Sequence, residues 1–301
     1  VGKIGVLILL ASIIGAALMK SGGAERIIRS VLGLVGKKNT PLAFLAGSFT
    51  LGIPVFFDTV FYLMIPLVKS ISIRNPKQFS FNLMAVIAGG VMAHSLIPPT
   101  PGPLFVAKEL GVDIGVMMIG GLVVGSFTAL SGYIYALWAN KKWDLPMRDT
   151  ADISIAELQE NADEPTGKLP SLWFSLVPII LPIFLIAGNT VLSMLSNSGR
   201  LDNLETIKAL VPIFKVLGDS NIALFISAFI AMILLWQRIK DATVFGKYMT
   251  EAISSAGMII LITGAGGAFG QILQQTGIGT SVGDLAGNYH FAILPLAFLI
   301  T

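Results

Sequence analysis

Cysteine is absent from the 301 residues, so they can form no disulfide, thiolate nucleophile or cysteine metal site. Charge is scarce: Asp, Glu, Lys and Arg together make up 12% of the chain, against about 25% in a typical soluble domain. Histidine occurs twice, as His94 and His290, with no metal-ligand spacing, and neither a metal nor any other cofactor is expected. The net charge of +3 is too small to suggest nucleic acid as a partner. No stretch reads as a cleavable signal peptide.

Hydrophobic sequence is what the chain has in quantity. It accounts for 54% of residues, and the mean hydropathy is +0.81. Apolar runs recur at Ile4–Met19, Leu42–Val68, Ile114–Trp138, Leu172–Leu195, Ile222–Trp236 and Ala252–Ile272. Several reach the ~20 residues a helix needs to cross a ~30 Å hydrocarbon core. The expected fold class is an all-α, polytopic membrane protein, with the lipid bilayer as its surroundings. Val1 and Thr301 both fall inside apolar runs, so both ends are expected to be cut from a longer protein.

Two pairs of similar segments suggest a duplication. "GAALMKSGGAERI" from Gly15 is similar to "GQILQQTGIGTSV" from Gly270, and "PLAFL" occurs at Pro41 and again at Pro295. The loop at Lys20–Thr40 carries Lys20, Arg26, Arg29, Lys37 and Lys38, whereas its counterpart, Thr276–His290, has no Lys or Arg. Basic short loops remain cytoplasmic, so the two copies are expected to be inverted relative to each other, as in many secondary transporters.

Leu42–Val68 is 27 residues long, too long for one span and too short for two, and both of its flanks are basic. Gly52-Ile53-Pro54 breaks it near the middle into arms of about 16–22 Å. The reading is a re-entrant helical hairpin over 41–68 that enters and leaves on the cytoplasmic side. Phe79–Glu109 then crosses outward as a broken helix (79–109), Ile114–Trp138 returns, and 140–170 forms a polar cytoplasmic linker. Leu172–Leu195 crosses outward, Glu205–Leu217 reads as a short interfacial helix, Ile222–Trp236 returns and Ala252–Ile272 crosses outward. These five crossings between the paired loops are an odd number, as inversion requires. The domain reading is a first inverted repeat over 1–139, the linker, and the incomplete start of a second repeat over 171–301.

The broken helix contains "HSLIPPTPGP", with prolines at 98, 99, 101 and 103. Each removes a backbone donor that lipid cannot replace. Such breaks expose helix ends that can hold ions and substrates. New helices are expected to begin near Pro54 and Pro103, each N-terminus carrying about half a positive charge. Two such ends facing one buried cavity make an anion site. Gly52, Ile53, Pro54, Thr59, His94, Ser95, Thr100 and Gly102 are the candidate substrate-binding residues. Asp58, one turn past the hairpin tip, is an acid inside an apolar segment and so a functional candidate. Asp58 and His94 are the candidate proton carriers, with helix-dipole compensation by Asp58 and a structural role for His94 as the alternatives. Lys108 and Glu109 read as an interfacial pair. "GAGGAFG", Gly264–Gly270, reads as small residues for close helix packing.

The chain resembles the gluconate:proton symporter (gluconate permease) family. The resemblance is carried by "SGGAERI", "GIPVFFDTVFYLMIPLV", "AHSLIPPTPGP" and "ITGAGGAFGQIL". It implies an inverted-repeat transporter of the ion-transporter superfamily, multi-pass in the bacterial inner membrane, that takes up gluconate or a related sugar acid with protons. The larger fold group implies an elevator motion and a homodimer. It also implies a second hairpin, which the repeat offset places just past Thr301. The family commonly shows His or Pro where this chain has Thr100, and often Glu where it has Asp58; both changes touch the presumed site. A sodium-coupled carboxylate carrier of the same fold is the alternative. An intramembrane enzyme lacks a paired catalytic constellation, and a channel lacks a filter motif.

Overall fold

A computed structural model describes residues 2–36, 39–73, 75–143, 147, 169–198 and 209–277. Among these, regular structure is entirely helical, with six helical segments long and apolar enough to span a membrane. In chain order the α-helices are α1 (Gly2–Ser21), α2 (Gly23–Val35), α3 (Thr40–Gly52), α4 (Phe57–Ile73), α5 (Phe79–Leu96), α6 (Pro101–Glu109), α7 (Ile114–Lys142), α8 (Leu172–Asn197), α9 (Val211–Leu217), α10 (Ser220–Ile239) and α11 (Ala242–Gln275). This is a polytopic membrane architecture, because a helix keeps its backbone hydrogen bonds inside its own segment where lipid offers none.

Several helix starts are fixed by the side chains that precede them. Asp113 accepts from the backbone N–H groups of Gly115 and Val116 at the start of α7, and Asp219 does the same for Asn221 and Ile222 at the start of α10. Each N-cap satisfies donors that would otherwise lack partners. Asp113 also accepts from the Thr190 hydroxyl of α8 at 2.6 Å, tying α7 to α8.

The helices share two ends. At one, Gly23 lies beside Leu234 and Ser175, Phe81 packs on Tyr133, and Lys20 pairs with Glu251. Lys20, Arg26, Arg29, Lys77, Lys141, Lys142, Arg238, Lys240 and Lys247 belong to this end. At the other end, where α7 begins and α8 finishes, lie Lys108, Glu109, Asp113, Lys215 and Asp219. The half-exposed Lys108–Glu109 contact, at 3.8 Å, is the ion pair expected from the sequence.

Four helices assemble the part of the fold that carries the expected breaks. Helix α3 runs parallel to α5: Thr40 meets Asn82, Leu45 and Ser48 meet Gly89, and Gly52 meets Gly90 and Ala93. Helix α4 runs back antiparallel to α5, with Phe57 beside Gly90 at one end and Ser72 bonded to Asn82 at the other. One buried side chain therefore joins both ends of the hairpin. Asn82 Oδ1 accepts from the Thr40 hydroxyl at 2.9 Å, and Asn82 Nδ2 donates to the Ser72 hydroxyl at 3.1 Å. The two arms start and finish at one level, and the tip reaches the C-terminal end of α5. Helix α6 continues past the break to the end where α7 begins.

Several boundaries differ from the sequence reading. The helix after the break starts at Pro101 with Pro103 in its first turn, as expected, whereas the helix after the hairpin turn starts at Phe57, three residues past Pro54, because the turn needs room before a helix can restart. The basic segment at Lys20–Thr40 is mostly a helix, α2. Its apolar positions 24, 27, 28, 31 and 32 follow a helical period, and Ala24, Ile27 and Ile28 are buried. Lys69 belongs to the buried face of α4, only 2% exposed, and not to a solvated flank. Of the interfacial segment, residues 211–217 are helical. Residues 205–208, most of the linker and residues 278–301 lie outside the described residues.

Gly89 shows how closely α3 and α5 approach. A Cβ there would overlap the Leu45 carbonyl oxygen and the Ser48 hydroxyl, whereas a Cβ at Gly257 on α11 meets nothing within 4 Å. Gly89→Ala should destabilise the protein by about 1–3 kcal/mol through overpacking, and Gly257→Ala should leave stability equal or improved by up to about 1 kcal/mol. Thermal unfolding of the detergent-solubilised protein measures both; equal melting temperatures for the two variants would contradict this packing.

Candidate functional site

The hairpin tip and the helix break meet. Ile53 of the tip packs with Ala93 and Ile97 of the break in one buried cluster. The Phe56 ring lies edge-on to the His94 imidazole, with centroids 5.8 Å apart and planes at 73°. A Cβ on Gly52 would come within 2.8 Å of the Gly90 carbonyl oxygen. Four helix ends therefore converge: the C-termini of α3 and α5 and the N-termini of α4 and α6. Their dipoles place two positive and two negative ends at one point.

The break is held open by its own side chain. A proline at position i+4 leaves the carbonyl at position i without its helical partner. Pro98 does this to His94, Pro99 to Ser95, Pro101 to Ile97 and Pro103 to Pro99. The buried Thr100 hydroxyl sits 2.6 Å from the His94 carbonyl oxygen and 2.7 Å from that of Ile97. It thus serves two of the four carbonyls the prolines strip. Its proton is committed inside the break, and what it keeps for a solute is a lone pair. Gly121 of α7 admits the Leu96 carbonyl where any Cβ would overlap it.

The two N-termini differ in the donors they offer. At α6, Pro101 and Pro103 have no N–H and Leu104 donates to Thr100, so Gly102 supplies the one free donor of the first turn. At α4, Phe57, Asp58 and Thr59 have no hydrogen-bond acceptor among the described residues, and Val60 is the first N–H bonded, to Phe56. The free backbone donors of the meeting point are therefore concentrated at α4.

The expected site residues divide into three groups. Gly52 and Ile53 are buried against α5 and act through packing. Pro54 and Thr59 line a cavity of about 500 Å3 on the side facing α1 and α11. Asp58, Ser95 and Gly102 are exposed. His94 lies between these settings: its Nδ1 is buried without a hydrogen-bond partner among the described residues, and Asp58 is within electrostatic reach. An unpaired buried imidazole nitrogen is costly unless a ligand, water or proton completes it. In the glycine stripe on α11, nothing described lies within 4 Å of a Cβ at Gly266 or Gly270, and one at Gly267 would approach Phe105.

The Thr40–Asn82–Ser72 tie was not read from the sequence. The signal was present: Asn82 is a lone amide in the apolar run Phe79–Met92, and such a residue in lipid is expected to have a partner.

The comparisons agree with this architecture. The GntP family permease model matches residues 1–301. The chain is 31% identical to an uncharacterized permease of Haemophilus influenzae, which aligns with 100% of this chain and 61% of its own length. It is 28% identical to a gluconate permease of Zymomonas mobilis, over 100% of this chain and 64% of the relative. It is 30% identical to a gluconate permease of Bacillus subtilis, over 99% and 66%. The chain thus spans a little under two thirds of the length of these relatives. No solved structure matches it.

The Thr100 assignment separates hydroxyl from shape. Thr100→Val should cost about 1–3 kcal/mol, because two buried carbonyls lose their donor, while Thr100→Ser should retain most of the stability. Melting temperatures of the purified variants measure the difference, and an unchanged value for Thr100→Val would contradict the role. The family match over the whole chain, joined to a hairpin tip packed on a proline-broken membrane helix, shows that this protein is a member of the GntP permease family.

Proposed function

We propose that the protein is a secondary active transporter that takes up a small organic anion, gluconate or a related sugar acid, in symport with protons. The observation that carries this reading is the meeting of the hairpin tip with the broken helix at Gly90–His94. From Asn82 to His94 is twelve residues of α5, about 18 Å, or little more than half of a ~30 Å core. With the basic end in the cytoplasm, α3 and α4 form a re-entrant hairpin whose tip lies near mid-membrane. The free N–H groups of α4 hold the carboxylate there, and Gly102 adds one more. Asp58 and His94 exchange the coupling proton at the same point.

An inverted repeat supplies the second half of the anion site, and α3, α4 and α5 move as one body, since Asn82 and the glycine seam leave them no independent motion. The protein works as a homodimer in this reading. Gluconate is favoured as substrate by the similarity to the gluconate permeases of Zymomonas mobilis and Bacillus subtilis.

The test is uptake of labelled gluconate by the full-length protein in proteoliposomes. Accumulation should follow an imposed proton gradient and be indifferent to sodium. Accumulation driven by a sodium gradient alone would establish the sodium-coupled carrier instead, and no saturable uptake of any sugar acid would reject the substrate class. Asp58→Asn should abolish proton-driven accumulation while retaining exchange of internal for external substrate; normal accumulation by that variant would remove Asp58 from the coupling.

A further inference from the structure

We propose that the cavity of about 500 Å3 beside the hairpin tip is a passage for a small polyhydroxylated carboxylate between the meeting point and the basic end, with Lys20 selecting anions at its mouth. The inference rests on the transport reading and adds a route and a selecting residue to it.

Three walls run in the same direction. On α1 the lining extends from Ser12 to Lys20, eight residues or about 12 Å. On α4 it leads from the tip residues Pro54 and Phe56 through Thr59 to Tyr62, which is 73% exposed. On α11 it runs from Ser255 to Glu251. Each wall passes the tip: the α1 wall leads to Lys20, next to the basic end of its helix, the α11 wall leads toward that end, and the α4 wall opens sideways at Tyr62, partway between the tip and the hairpin base.

The lining suits a hydroxylated anion. The Ser12 hydroxyl is buried in the wall with no partner among the described residues, and Thr59 and Ser255 add hydroxyls along the same path. A buried hydroxyl without a partner is a group that a bound solute or water would complete. The volume falls within the range of small-molecule sites.

Among the described residues, the mouth holds one ion pair. Lys20 Nζ lies 3.6 Å from Glu251 Oε2, and both side chains are about half exposed. The same ammonium stands 4.6 Å from the centroid of the Tyr248 ring. An exposed pair of this kind is weak, whereas the ring holds the cation in place without neutralising it. An arriving carboxylate can therefore replace Glu251 on Lys20 without displacing the lysine. Asp58, although next to Thr59 in sequence, does not line the cavity.

Thiol labelling of the full-length protein, in a background free of other reactive cysteines, tests this directly. Ala16→Cys places a small probe in the wall one turn from Lys20; Ser255→Cys on the facing wall serves if that variant does not fold. In everted vesicles the thiol should react with an anionic methanethiosulfonate added from the cytoplasmic face. Adding Lys20→Gln should slow the anionic reagent about fivefold, the effect of one unit charge several ångströms away, and leave a neutral reagent unaffected. Adding Glu251→Gln should speed the anionic reagent. Thiols unreactive from the cytoplasmic face at both positions, or anionic and neutral rates that change together with Lys20→Gln, would overturn the passage. Labelling needs no transport, so absence of sugar-acid uptake by the wild type would reject the transport reading without altering this result.

Discussion

The seam between α3 and α5 is closed backbone to backbone, and the position of every functional element depends on it. Gly52, Gly89 and Gly90 leave no side chain to hold the two helices apart. In lipid, helices gain little from hydrophobic exclusion and associate through close packing and polar ties. This seam has both, because Asn82 bonds Thr40 of one arm and Ser72 of the other where the hairpin begins and ends. With the base fixed at Asn82 and the arms in close contact with α5, the tip has one place to go: beside His94, where α5 ends.

At that place the chain changes the polarity of its own backbone. Four prolines strip acceptors of their donors, and one threonine hydroxyl returns to two of them. The remaining carbonyls and the free N–H groups at the start of α4 leave a polar point between apolar helices. The prolines make α6 a poor source of donors while fixing where it starts, so the free donors lie on the hairpin and the break contributes mainly shape and acceptors. Low dielectric strengthens any charge interaction formed there, so in the proposed transport reading a few backbone groups would serve without a deep lysine or arginine at the tip.

Much of this was legible in the sequence because membrane helices announce themselves by length and composition. The 27-residue run with a Gly-Ile-Pro interruption gave the hairpin, and the proline cluster gave the broken crossing. Their meeting followed from the rule that irregular backbone in lipid must be covered by protein. The sequence did not show which face of each arm packs on α5, since almost every residue there is apolar and no periodicity distinguishes the faces. Asn82 went unremarked for the same reason: a single amide has no pattern. Helix α2 was mistaken for loop because its charges were read for orientation and its spacing of Ala24, Ile27 and Ile28 was not. The sequence reading of Thr100 as a solute ligand did not include the use of its proton inside the break; only the offset of four residues between each proline and the carbonyl it strips would have revealed that use.

With no cysteine in these 301 residues and any other reactive cysteine of the full-length protein replaced, the central contact is directly measurable. Ile53→Cys and Ile97→Cys, introduced together into the full-length protein in native membranes, place thiols on two side chains of one buried cluster. Oxidation with copper phenanthroline should remove both thiols from maleimide labelling, and reduction should restore them. A control pair of Ile53→Cys with Trp143→Cys, twenty-two residues along α7 from the Gly121–Leu96 contact and so about 33 Å away, should remain fully labelled. If the first pair oxidises no faster than the control, the hairpin tip does not rest on the broken helix, and the anion site has no basis.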